Sequence, residues 1–100
     1  MSMISYWSDV VQIYASNSFV VILGNYNHKN ESEKGSQCLG LFWKSEEGGV
    51  GFPNARGHLS PMVLENRFNE GFLQFLLFQA IKDKNTAAID TIKRAIDILL

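Results

Sequence analysis

This sequence predicts an α+β domain: a small antiparallel sheet of two to four strands packed against an N-terminal helix and two or three C-terminal helices. Two apolar runs, residues 19–23 (FVVIL) and 37–44 (QCLGLFWK), read as strands. The connections around them are too short for crossover helices, so the strands should pair antiparallel. The C-terminal part then switches to helical spacing of its apolar residues. The length, 100 residues, is that of one domain with one core.

Each element has its own signal. Residues 4–15 place Ile4, Trp7, Val11 and Tyr14 at helical spacing with Val10 beside them, and Ser5 or Ser8 could cap, so a first helix is expected. The Val and Tyr content of the same stretch also permits a strand. The first strand run ends at Gly24, and residues 25–36 (NYNHKNESEKGS) form a polar loop dense in turn formers. After the second strand comes the turn 45–49 (SEEGG), and residues 50–52 allow a third, short strand. Ser60-Pro61 reads as a helix start, with Ser60 as N-cap and a short helix through Leu64 and Phe68. Asn69, Glu70 and Gly71 should interrupt or kink it. Residues 72–83 are apolar on nearly every side, which predicts a central helix buried by sheet and helices together. Asn85 or Thr86 caps the last helix, whose stripe is Ile89, Ile92, Ala95 or Ile96, and Leu99, so the C-terminal end should dock on the body.

Composition narrows the function classes. Apolar residues make up 46% and charged residues 19%, a globular balance rather than a disordered one. The formal net charge is −1, and neither half of the chain carries a basic stripe, so neither a nucleic-acid partner nor an anionic membrane is expected. The first 15 residues lack a basic start and an unbroken apolar stretch, which points to a cytoplasmic protein.

Residues with chemistry in them read mostly as structure. Cys38, the single cysteine, sits in an apolar strand, where a thiol packs as a small hydrophobe. His28 and His58 lie in polar loops without metal-ligand spacing. Neither phosphate-loop nor dinucleotide-loop spacing occurs among the glycines, so no cofactor and no catalytic residue is expected. One segment, residues 51–60 (GFPNARGHLS), gathers Asn54, Arg56 and His58 ahead of the expected helix start, where an anionic ligand could be held. A second surface gathers Glu31, Glu33, Glu46 and Glu47 around Tyr26 and Trp43, which suits a basic protein partner.

Size, the lone Cys38 and the aromatic-plus-acidic surface of Tyr26, Trp43, Glu46 and Glu47 make the chain resemble the small bacterial immunity proteins that neutralise toxin domains, including those of contact-dependent growth inhibition systems. The resemblance lies in whole-chain character and not in a motif. It implies a protein-binding, non-catalytic domain in a tight one-to-one complex with a cognate toxin, covering its active site or a nearby surface. Two other readings stand beside it. One is a small ligand-binding domain or enzyme using Asn54, Arg56 and His58 on an anionic ligand. The other is a homo-oligomeric adaptor whose aromatic helix, residues 72–78, forms the subunit interface.

Overall fold

The β-branched run at 19–23 becomes the middle of the sheet, because its side chains are wanted on both faces. The computed structural model describes residues 6–27, 36–45, 49, 51–55 and 58–100. Within them the chain forms β1 (Trp7–Ala15), β2 (Phe19–Tyr26), β3 (Ser36–Trp43), β4 (Asn54–Ala55), β5 (His58–Leu59) and β6 (Met62–Val63). A 3-10 turn (Asn66–Phe68) leads into α1 (Asn69–Lys82), and α2 (Thr86–Leu99) follows. Strands β1-β2-β3-β6 make an antiparallel four-stranded sheet in that order, and β4 and β5 pair separately as a small hairpin.

Alternation along β2 and β3 divides the buried side chains between two cores. Val21, Leu23, Leu39 and Leu41 face the helices and meet Leu73, Leu76 and Ala80 of α1 and Ala88, Ile92 and Ala95 of α2. Val20, Ile22 and Cys38 face the other way and pack with Trp7 and with Leu59 of the β4–β5 hairpin. Cys38 is thus buried and forms no disulfide. A sheet covered on both faces explains why the β2 run has no polar alternation.

The N-terminal helix expected over residues 4–15 is not formed. Residues 7–15 are strand, and residues 4 and 5 lie outside the described residues. The physical reason is that β1 carries two register shifts against β2, one between Ser8 and Val11 and one between Gln12 and Tyr14. Each bulge inserts a residue without advancing the pleat, which scrambles the two-residue period and imitates a longer one. Asp9, inside the first bulge, has φ 52°. Because of that bulge, Trp7 reaches the far core while Ile13 and Tyr14 reach the helix-side core. Ile13, the extra residue of the second bulge, has no partner in the ladder register, and its carbonyl accepts from the Thr91 hydroxyl of α2 at 2.7 Å.

The short helix expected after Ser60-Pro61 is also absent. Met62 and Val63 pair instead with Leu41 and Gly40 on the open side of β3, and Leu64 N–H continues the pairing to the Leu39 carbonyl at 2.9 Å. A free edge of β3 offers these backbone groups a ladder, which outweighs a local capping signal. Asn69 to Gly71 do not interrupt a helix; they open α1. The third strand expected at residues 50–52 reduces to one bridge, Phe52 to Trp43, with residue 50 outside the described residues.

The last two helices follow the sequence more closely. Asn85 caps α2 by accepting from Ala88 N–H at 3.1 Å. Leu99 packs against the core, while Leu100 stays exposed. Helix α1 does not fulfil the expectation of burial all round. It buries Leu73, Leu76 and Ala80 and leaves Phe75, Phe78 and Ile81 exposed, because both helices lie side by side on one face of the sheet and no described residues form a third layer above them.

In the far core the Trp7 indole lies across Gly40. A Cβ there would stand 2.7 Å from Trp7 Cη2 and 2.9 Å from Ile22 Cγ1, so only glycine leaves room for the ring. Among the described residues the buried Trp7 Nε1 has no hydrogen-bond partner, and the indole is oriented by its packing on Gly40, Ile22 and Tyr26. Gly40→Ala is expected to destabilise the fold by about 1–3 kcal/mol through overpacking. Urea titration should show it, and Trp7→Phe in the same chain should recover part of the loss. Thr91→Val, which removes the hydroxyl that donates to the Ile13 carbonyl, should cost about 0.5–1.5 kcal/mol in the same titration.

Candidate protein-binding surface

Phe19 opens β2 and Trp43 closes β3, and the antiparallel register sets them opposite each other. Their ring centroids are 5.0 Å apart and tilted by 56°. On the other side of Trp43 the chain returns with Phe52. Trp43 N–H donates to the Phe52 carbonyl at 2.7 Å, and Phe52 N–H donates to the Trp43 carbonyl at 2.9 Å. Residues paired in this way point to one face. Phe19, Trp43 and Phe52 therefore form a row across the end of the sheet, on the helix side where Phe19 touches the core.

Exposure rises outward along the row. Phe19 is half-buried, Trp43 is 41% exposed and Phe52 is 64% exposed. Met62, paired with Leu41, falls on the same face and is exposed as well. Four apolar side chains thus share one rim of the sheet.

Gly51 makes the close return of Phe52 feasible. Its φ is +100°, and a Cβ would stand 2.6 Å from the Trp43 carbonyl oxygen. Polar groups nearby are committed to the backbone. Lys44 Nζ donates to the Ser16 carbonyl at 3.3 Å, and Asn54 Nδ2 donates to the Gly51 carbonyl at 2.8 Å. Lys44, Ser45, Gly51, Phe52 and Asn54 line a shallow cleft beside the row.

Of the partner-contact residues expected from the sequence, Trp43 is in this row. Glu31, Glu33, Glu46 and Glu47 lie outside the described residues. In the expected ligand loop, Asn54 is on β4 and His58 on β5, with Ala55 paired to His58 across the hairpin. Arg56 lies outside the described residues, as does the side chain of His58. The hairpin leads into β6 and not into a helix, so the helix N-terminus that would favour an anion is not there. Among the described residues no group of three or more His, Cys, Asp or Glu side chains could hold a metal ion.

No family model matches the chain, and neither a curated protein nor a solved structure does. Phe52 and Met62 escaped the sequence reading because both join the surface through non-local pairing with β3. The local signal available was the pair of large rings, Trp43 and Phe52, flanking a glycine-rich turn. No helix among the described residues is long and apolar enough to cross a membrane.

Gly51→Ala tests how the row is held. The substitution forces a β-carbon into a positive-φ position against the Trp43 carbonyl and should cost more than about 1 kcal/mol. Amide exchange at Trp43 and Phe52 should accelerate, while exchange at Leu39 in the middle of β3 should change far less.

Proposed function

We propose that this chain is a non-catalytic protein-binding domain, most concretely an immunity protein that neutralises a cognate toxin domain by covering its active site or a neighbouring surface. The observation that carries the proposal is the row Phe19–Trp43–Phe52, which offers large rings to solvent on a fixed frame. Trp is among the residues that most often dominate interface energetics. Trp43 is restrained on one side by the Phe19 ring and on the other by the backbone bridge to Phe52, so little freedom remains to be lost on docking. Met62 extends the apolar area at modest cost in shape, since a thioether adapts to its neighbour.

Charge would set the choice of partner. Glu46 and Glu47 follow Trp43 by only a few residues in sequence, and Glu31 and Glu33 belong to the long polar connection before β3. Carboxylates around an aromatic centre favour a basic surface, such as the substrate channel of an enzyme that acts on a polyanion. The mechanism is occlusion: the rings exclude water at the centre while the carboxylates orient the encounter.

The test starts from capture of the tagged chain from the cells that make it, followed by reconstitution with the identified partner in purified form. One partner at one-to-one stoichiometry is expected, with its toxic activity suppressed in the complex. Replacing Trp43 and Phe52 together by Ala should weaken the complex by at least about thirtyfold, because a single anchor residue carries roughly 2 kcal/mol or more. Phe52 is mostly exposed but Trp43 loses its packing on Phe19, so a modest fall in melting temperature is expected and binding is compared where both chains are fully folded. Glu46→Lys with Glu47→Lys should slow association and flatten its salt dependence. A Trp43/Phe52 double-alanine variant that binds and inhibits like the wild type would remove this surface from consideration.

A further inference from the structure

Helix α1 has two faces built for packing, and the fold uses one of them. The inner face buries Asn69, Leu73, Leu76 and Ala80. On the outer face, Phe68 at the end of the 3-10 turn and then Gly71, Phe75, Phe78 and Lys82 of α1 follow one another at intervals of three, four, three and four residues, and all are exposed. That spacing is the seam of a helix that packs lengthwise against another helix. Phe75 is 57% and Phe78 61% exposed, and nothing lies within 4 Å of where a Gly71 Cβ would stand. The seam is therefore three rings with a notch between the first and the second.

We infer that this outer face of α1 binds the same face of a second copy of the chain, with the two helices antiparallel. The charge pattern supplies the occupant and the direction. Glu70 stands near the start of the seam and Lys82 at its end. Antiparallel pairing puts Phe75 of each copy against Phe78 of the other, and Lys82 of each copy over the Gly71 notch of the other. The Lys82 ammonium then reaches the Glu70 carboxylate next to that notch. Parallel pairing would set Lys82 against Lys82, a like-charge contact. The antiparallel arrangement is its own complement under a two-fold axis, as a closed dimer requires. Neither side chain has a strong competing tie: Lys82 Nζ stands 5.7 Å from the Phe78 ring centre, and Glu70 accepts a 3.4 Å bond from Gln74.

Area places the contact in its class. Half of a Phe side chain is roughly 100 Å², so three rings and Ile81 offer roughly 400 Å² per copy. That is about half of what each partner contributes to a standard interface, so the dimer is a weak, transient one. The inference does not rest on the toxin-binding proposal, which uses the Trp43–Phe52 rim.

Sedimentation equilibrium of the full chain from about 1 μM to about 1 mM brackets the affinity of such a dimer. The wild type should pass from monomer to dimer mass. Phe75→Asp with Phe78→Asp should remain monomeric throughout with an unchanged circular dichroism spectrum, since both positions are exposed. Lys82→Glu should weaken the dimer at least about fivefold, and adding Glu70→Lys should restore it, as expected for an opposite-charge pair whose signs are exchanged. The Trp43/Phe52 double-alanine variant should dimerise like the wild type, which separates this surface from the rim. A wild type that stays monomeric at the highest concentration overturns the inference, including where the same face proves to bind an identified partner of another kind. A Phe75/Phe78 double-aspartate variant that dimerises undiminished overturns it as well. Failure of Glu70→Lys to restore the Lys82→Glu chain overturns the antiparallel register.

Discussion

β1 has to send Trp7 to the far core and Ile13 to the helix-side core, and a regular strand could not do so with these two residues. In an uninterrupted pleat Trp7 and Ile13 would point the same way, because an even number of steps separates them. Here Trp7 fills the far core and Ile13 the helix-side core. The bulge around Asp9 makes that change of face, and the second bulge then brings Ile13 and Tyr14 to the helices together. From this follow the room that Gly40 must leave for the indole, the Thr91 hydroxyl bond to the Ile13 carbonyl, and the position of α2 along β1. Removing either bulge would turn one set of apolar side chains out of its core.

The same irregularity shapes how the domain can meet other chains. β1 is one edge of the sheet, and its bulges break the row of backbone groups that another strand would need. The opposite edge, β6, is two residues long. Neither edge is a good template for strand addition, so recognition falls to side chains: the rings on the rim of β3 and the rings along α1. Trp43 and the rings of α1 are presented by regular backbone, and Phe52 by a single bridge to the end of β3.

What the sequence made legible was what local pattern alone determines. Residues 19–23 and 37–44 read correctly as strands because burial on both faces leaves an unbroken apolar run. α2 was readable from its cap and its stripe, Asn85 and Ile89 through Leu99. β1 was not, since two bulges gave Trp7, Val11 and Tyr14 a helical spacing that the backbone does not follow, and Val11 ends up exposed. β6 was hidden because its partner residues, Gly40 and Leu41, are remote in sequence. In α1, apolar residues on every side suggested full burial, whereas a two-layer domain covers only the side with Leu73, Leu76 and Ala80. Trp43 could be picked out as a contact residue by type, but its place in a row with Phe19 and Phe52 depends on pairing that no local window contains.

The two tryptophans sit in opposite surroundings. Trp7 is enclosed between Gly40 and Tyr26 in the far core, while Trp43 stands at the rim in contact with water. Their emission should differ accordingly, the first blue-shifted and shielded from aqueous quenchers, the second red-shifted and open to them. The protein thus carries two built-in optical labels. One reports whether the core between the sheet and the β4–β5 hairpin is intact, and the other reports what is touching the sheet's rim.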